Sequence, residues 1–151
     1  SARYGHEATA RIAHFYKTHV NHLPVDVSPR TPFCVSDALE AQLANEMPGD
    51  DFQTDLTTVQ SALAAQNLTI PLLFKHYSQA TSKDGVSFSA FNVDPAFGDC
   101  VDAFVMADLT RLLPKKKRRY LGEAWQHRPN KGRSQDAHAL PPEASSTATN
   151  R

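Results

Sequence analysis

Carboxylates crowd into one stretch of this sequence, at Asp94, Asp99, Asp102 and Asp108. Asp94, Asp99 and Asp102 are the candidates for catalytic work, because a carboxylate held at the end of a strand can polarise or deprotonate an amine or hydroxyl acceptor. The same side chains also suit a purely structural role, in which Asp94 caps the turn begun by Pro95 and Asp99 makes an Asx turn. Phe97 stands between them. Upstream, Lys75 offers either an anion contact or a plain surface charge, two residues before Tyr77. Downstream, Lys115, Lys116, Lys117, Arg118 and Arg119 form an unbroken basic run followed by Tyr120 and Leu121. Such a run is either a solvated helix face or a contact with anionic lipid or an acidic carrier protein, worth roughly 1 kcal/mol per basic residue near a charged surface. Nucleic acid ranks below these, since no aromatic residues interleave with the charges to stack on bases.

Other chemistries lack their residues. The six glycines stand at 5, 49, 85, 98, 122 and 132, so no two can build a phosphate-cradling loop. His14, His19 and His22 lie on or near one helix without an HExxH pattern, and they read as solvated or core-edge side chains; no metal site is expected. Cys34 and Cys100 are too few and too far apart for a disulfide framework or a zinc site, and read as reduced, mostly buried thiols.

The elements that must position the candidates follow from periodicity. Ala8, Ile12, Phe15 and His19 place a helix over 7–22, ended by Leu23-Pro24 because the residue before proline is pushed out of the helical region. Val25-Asp26-Val27 alternates as a short strand would, and the prolines at 29 and 32 exclude a regular ladder beyond it. Ser36 can cap a helix over 36–46. Leu56, Val59 and Leu63 stripe a helix over 51–66, stopped at Asn67. A fourth helix starts at Thr69-Ile70-Pro71, with Thr69 or Ile70 as cap, and runs to Ala80. After the turn at Lys83-Asp84-Gly85, residues 86–91 alternate as a half-exposed strand, with Val86, Phe88 and Ala90 on one face and Ser87 and Ser89 on the other. Residues 101–108 are more continuously apolar and predict a more buried strand.

Helices followed by two adjacent strands give an α/β (α+β) class with helices packed on a small sheet that needs further strands to be complete. The 151 residues suffice for one domain, taken as 1–122, while 123–151 are polar and proline-containing and read as a disordered tail. The 16 basic and 16 acidic side chains cancel, which argues against polymer binding driven by net charge. No apolar run approaches the roughly 20 residues that span a bilayer.

From Asp51 to Leu121 the sequence, with DDFQTDLTTVQSALAAQNLTIPLLFKHYSQ followed by FNVDPAFGDCVDAFVMADLTRLLPKKKRRYLG, is similar to the end of GNAT-like bacterial acyltransferases that carry a hemolysin label and are grouped with the ornithine-lipid N-acyltransferases. The pattern rests on Pro71, Leu73, Lys75 and Tyr77 on a helix, then Asp94, Phe97 and Asp102 around a turn into an apolar strand. The resemblance implies a partial GNAT-like fold. It also implies transfer of a fatty acyl group from acyl carrier protein or acyl-CoA to an amine or lipid acceptor, with no tightly bound cofactor. Lys75, Tyr77 and Phe97 would then meet substrate, and the 115–119 run would face the carrier or an anionic membrane. A cytoplasmic protein peripheral to the inner membrane is expected. The family's donor-binding loop and earlier strands belong upstream of Arg3, so an N-terminal half is expected as a missing partner and acyl-donor binding by this chain alone is expected to be weak. The alternative is a non-catalytic module that docks on a membrane or partner through the basic run.

Overall fold

The computed structural model describes residues 3–24, 26–82 and 84–122; the tail assigned to 123–151 lies outside them. Among the described residues the architecture is mixed α and β, with five α-helices and a two-stranded antiparallel sheet. Helix α1 (Gly5–His19) is the central beam, burying Ala8, Ala10, Ile12, Ala13, Phe15 and Tyr16. It stops short of the expected Pro24. Val20 leaves the helical region at φ −134°, and its carbonyl accepts the Phe88 amide at 2.7 Å. Pairing with the sheet therefore ends the helix before the proline can.

Helix α2 (Asp37–Glu46) is capped as expected by Ser36, whose hydroxyl accepts from the Leu39 amide. Helix α3 (Phe52–Ala64) starts on Asp51, which accepts from the Thr54 amide at 2.6 Å. The chain turns away at Asn67, which adopts the left-handed φ of 56°. Helix α4 (Leu72–Ser78) departs from expectation. Its cap position is Pro71, without a side-chain bond. Ile70 is buried in the core, and the Thr69 carbonyl is taken by the Tyr4 hydroxyl at 2.8 Å. The helix also ends before Ala80, whose carbonyl accepts the Leu113 amide.

Strands β1 (Val86–Asp94) and β2 (Cys100–Ala107) form a hairpin, with Val86 opposite Ala107 at one end and Asp94 opposite Cys100 at the other. The ladder shifts between Phe88 and Ala90, leaving Ser89 as an extra residue. This bulge overturns the expected faces. Ala90 joins Ser87 on the outer row, while Phe91 and Val93 continue the inner row begun by Val86 and Phe88. The expected burial is also reversed: β1 is the buried strand and β2 alternates between half-buried and exposed. The cause is position. β1 has β2 along one edge and, along the other, isolated bridges from Asn21 and Pro32. Thr31, Phe33 and Val20 supply the backbone bonds there. No strand forms at Asp26-Val27, and Val25 lies outside the described residues.

The core joins α1, α2 and α3 to the inner face of the sheet. Phe74 of α4 stacks on Phe88 at 5.1 Å and on Phe91 at 6.3 Å, and Tyr16 meets both Phe74 and Phe88. Beyond β2, Asp108 caps a 3₁₀ turn at Leu109–Arg111, and helix α5 (Pro114–Leu121) follows. A bridge from Leu112 to Thr81 ties this segment to the end of α4.

Candidate functional site

An apolar groove of about 530 Å³ runs between α4 and the inner row of β2. Phe74 positions it: stacked on Phe88 and Phe91, it holds α4 above the sheet, so that Pro71, Leu73 and Tyr77 face Val101, Ala103 and Val105 across the gap. Tyr4, Thr9 and Ile12 of the α1 end close the far side, and the Tyr4 bond to Thr69 fixes that end against the start of α4. Polar side chains are few: Thr9 and the Tyr4 and Tyr77 hydroxyls, with the Cys100 thiol beside them. An apolar channel of this size with a sparse polar lining suits a hydrophobic ligand.

The residues singled out from the sequence divide among several places. Tyr77 and Asp102 line the groove. Asp102 belongs to the outer row of β2, opposite Asn92, and also borders a shallow hollow with Arg30 and Phe104. Asp94 makes the turn-capping bond, accepting from the Ala96 amide at 2.9 Å. Asp99 sits in the hairpin turn at φ 57° and borders a third hollow with His6, Cys34 and Gly98; contrary to expectation Cys34 is exposed and Cys100 half-buried, since both lie at the rim of the hairpin rather than in the core. The three aspartates therefore do not share one cavity. Phe97, at 77 % exposure, projects from the hairpin tip. Lys75 faces away from the groove, into a more polar hollow of about 750 Å³ on the other side of α4.

The basic run occupies α5, past the other end of β2 from Asp94 and Asp99. Lys117 donates to the Thr110 carbonyl, and Lys116 and Arg119 lie near the Tyr120 ring. Lys115, Arg118 and Arg119 border a shallow hollow with Pro114. Among the described residues none of the five cations is paired with a carboxylate.

Two buried polar arrangements have no signature in the sequence. His19 Nε2 meets Asp55 Oδ2 at 2.7 Å, with side chains 8 % and 2 % exposed. The Gly49 amide donates to the same carboxylate oxygen at 2.9 Å. The rings of Phe15 and Phe52 flank the imidazole, which borders the polar hollow together with His22, Lys75 and Ser78. The second arrangement joins Arg11 of α1 to Glu7 and to Glu46 of α2. Bonded to Arg11 and then to Gln42, the Glu46 carboxyl is held below its ordinary value, and the Arg11 guanidinium is raised by the Glu46 bond. Burial raises the Tyr16 hydroxyl, and Ser78 partly offsets it. Residues 36 apart in sequence, such as His19 and Asp55, meet only through the packing of α1 on α3, so no local motif announces them.

Among the described residues no group of side chains has the makings of a metal site, and no helix is long and apolar enough to cross a membrane. Compared with models of protein families, with curated proteins and with solved structures, the chain matches none.

Proposed function

We propose that this chain forms one wall of a fatty-acyl transfer site, with the acyl chain lying in the groove between α4 and β2. The observation that carries the reading is the groove itself: about 530 Å³, bounded by Leu73, Phe74, Tyr77, Val101, Ala103 and Val105. That volume falls within the range of ligand pockets, and burying an alkyl chain there gains roughly 0.8 kcal/mol per methylene removed from water. The resemblance to the end of GNAT-like acyltransferases supplies the reaction class: a neutral amine attacks a thioester carbonyl, the C–N bond forms, the C–S bond breaks, and the thiol leaves. Positioning and oxyanion stabilisation would be the main contributions to such a step. Of the three candidate aspartates Asp102 alone borders the groove, but it belongs to the outer row of β2, so the base that takes the proton released by the amine is left to the elements that hold the donor. The donor is an acyl carrier protein or acyl-CoA. With no Gly-rich loop in the sequence, this wall offers the acyl chain a place and leaves the phosphates of the donor to other elements.

Titration with a long-chain fluorescent fatty acid tests this reading. Saturable binding is expected, at least tenfold weaker in Leu73→Asp, and acyl-CoA should bind no tighter than the free acid. Absence of saturable binding, or binding indifferent to Leu73→Asp, would sink it.

A second reading has its own support. The five cations of α5 lack acidic partners among the described residues, and Leu109, Leu113 and Tyr120 are exposed around them. Basic residues beside exposed apolar ones fit a contact with an anionic lipid surface. Vesicles containing phosphatidylserine should retain the protein at low salt and release it as salt rises. Reversing Lys115, Lys116 and Arg119 to Glu should abolish retention; retention by that variant would rule the contact out.

A further inference from the structure

The outer edge of β2 is unpaired among the described residues, and its residues carry a specific pattern. The Phe88 and Val93 amides and the Phe91 carbonyl point away from β2, toward Val20, Thr31 and Phe33. In an antiparallel pair, both backbone groups of a residue point to the same side, so the partners of these residues face outward in turn. Those partners are Val105, Ala103 and Val101, and Ala107 opposite Val86 continues the series. Among the described residues no backbone group bonds to this edge.

Such an edge is a template for another strand, and proteins ordinarily blunt it with Lys, Pro, a bulge or extreme shortness. β2 has none of these protections. Its eight residues contain no Lys or Pro and a single charge, Asp102, and the bulge lies in β1. Exposed apolar side chains flank the edge on both faces of the hairpin: Leu73 and Tyr77 beside the inner row, Phe104 and Met106 on the outer row.

We infer that this edge is a strand-pairing interface and that its occupant is the β2 edge of a second copy, running antiparallel about a twofold axis at Phe104. The argument for a second copy is that this edge, whose one charged residue is Asp102, meets its own copy in a register that opposes no like charges. An axis at Phe104 sets Val101 opposite Ala107 and Ala103 opposite Val105, so every outward residue finds an outward partner. This gives about eight interchain backbone bonds and a four-stranded sheet. On the outer face Phe104 lies against its own copy, and Asp102 lies opposite Met106 rather than opposite another acid. An axis at Val105 would instead oppose Asp102 to Asp108, like charges that destabilise a cross-strand pair. Nothing in this interface depends on acyl transfer or on the basic residues of α5.

Sedimentation of the full 151-residue chain tests the proposal, together with a cross-link. The chain is expected to dimerise in a concentration-dependent manner that salt barely changes, which separates this contact from one made by α5. Ala103→Pro removes one outward amide at each of two symmetric places and should weaken the dimer about tenfold or more. In a background of Cys34→Ser and Cys100→Ser, Phe104→Cys should form an intermolecular disulfide on oxidation, because directly opposed Cβ atoms lie within bonding range. Thr110→Cys in the same background should not. A chain that stays monomeric at high concentration overturns the proposal, as does a dimer unaffected by Ala103→Pro in a protein with native circular dichroism. Should Ala103→Pro fail to fold, cross-linking of Phe104→Cys no better than that of Thr110→Cys overturns it equally.

Discussion

The two strands of the hairpin are similar in length and both rich in apolar residues, yet they live in different surroundings. β1 is sealed on both edges and, over Val86, Ser87 and Phe88, on both faces; even the Ser87 hydroxyl is buried, accepting from the Leu23 amide. β2 has one edge open, its outer row exposed at Phe104 and Met106, and its inner row lining the groove. Place in the sheet, rather than residue type, decides which strand is core and which is surface. Polar interactions follow the same division. The His19–Asp55 and Arg11–Glu46 pairs fasten α1 to α3 and α2, while the α4–β2 side is held by ring stacking and the Tyr4 hydroxyl bond.

Substitutions can break this contrast or sharpen it. The largest effect is expected at Phe88, fully buried against Tyr16 and Phe74. Phe88→Ala should cost about 3–5 kcal/mol in urea unfolding, and a loss below about 1 kcal/mol would mean that β1 is not the core strand. Next comes Asp55→Ala, which strands His19 and leaves the Gly49 amide without its acceptor; a loss of about 3 kcal/mol is expected in the same assay. Val105→Ala, on the half-buried inner row of β2, should cost about 1 kcal/mol. A loss equal to that of Phe88→Ala would erase the distinction between the strands. The smallest effect is expected from pH. The Arg11 and Gln42 bonds depress Glu46 below its ordinary value of 4.5, so it adds stability above that value and loses it as pH falls through the lower folded value. Thermal melts of Glu46→Gln and the parent chain should differ near neutrality and converge in acid. A constant difference across that range would show that Glu46 stabilises through packing rather than charge.

Much of the helical half was legible because its signals are local. Ser36 and Asp51 announce their helices by side-chain oxygens that reach amides three residues on, and Asn67 marks a stop by tolerating a left-handed backbone. The helix boundaries at Val20 and Pro71 were not legible, since each is set by a partner distant in sequence: Phe88 for the first, Tyr4 bonded to the Thr69 carbonyl for the second. The strands themselves could be found, but their relative burial depends on which one lies at the edge, and no residue within either strand encodes that. Of the candidate site, Tyr77 faces the groove and Asp102 borders it from the outer row of β2, whereas Lys75 faces a different hollow because nearby helical positions point to different sides. Phe97 reads as a ligand contact by type and lies on a hairpin tip by geometry.

The bulge at Ser89 has a consequence for how this chain tolerates change. It absorbs one residue, so that Phe88 and Phe91, an odd number of steps apart, can both lie beneath Phe74. Deleting Ser89 would remove only the extra residue: Phe88, Ala90 and Phe91 would then alternate in a regular ladder opposite Val105, Phe104 and Ala103, and Phe91 would stay on the inner row. A residue inserted there would instead have to widen the bulge or turn the strand from that point to the hairpin tip onto the other face. Any sequence related to this one through the hairpin should carry either this bulge or one residue fewer between Phe88 and Phe91, but not one more.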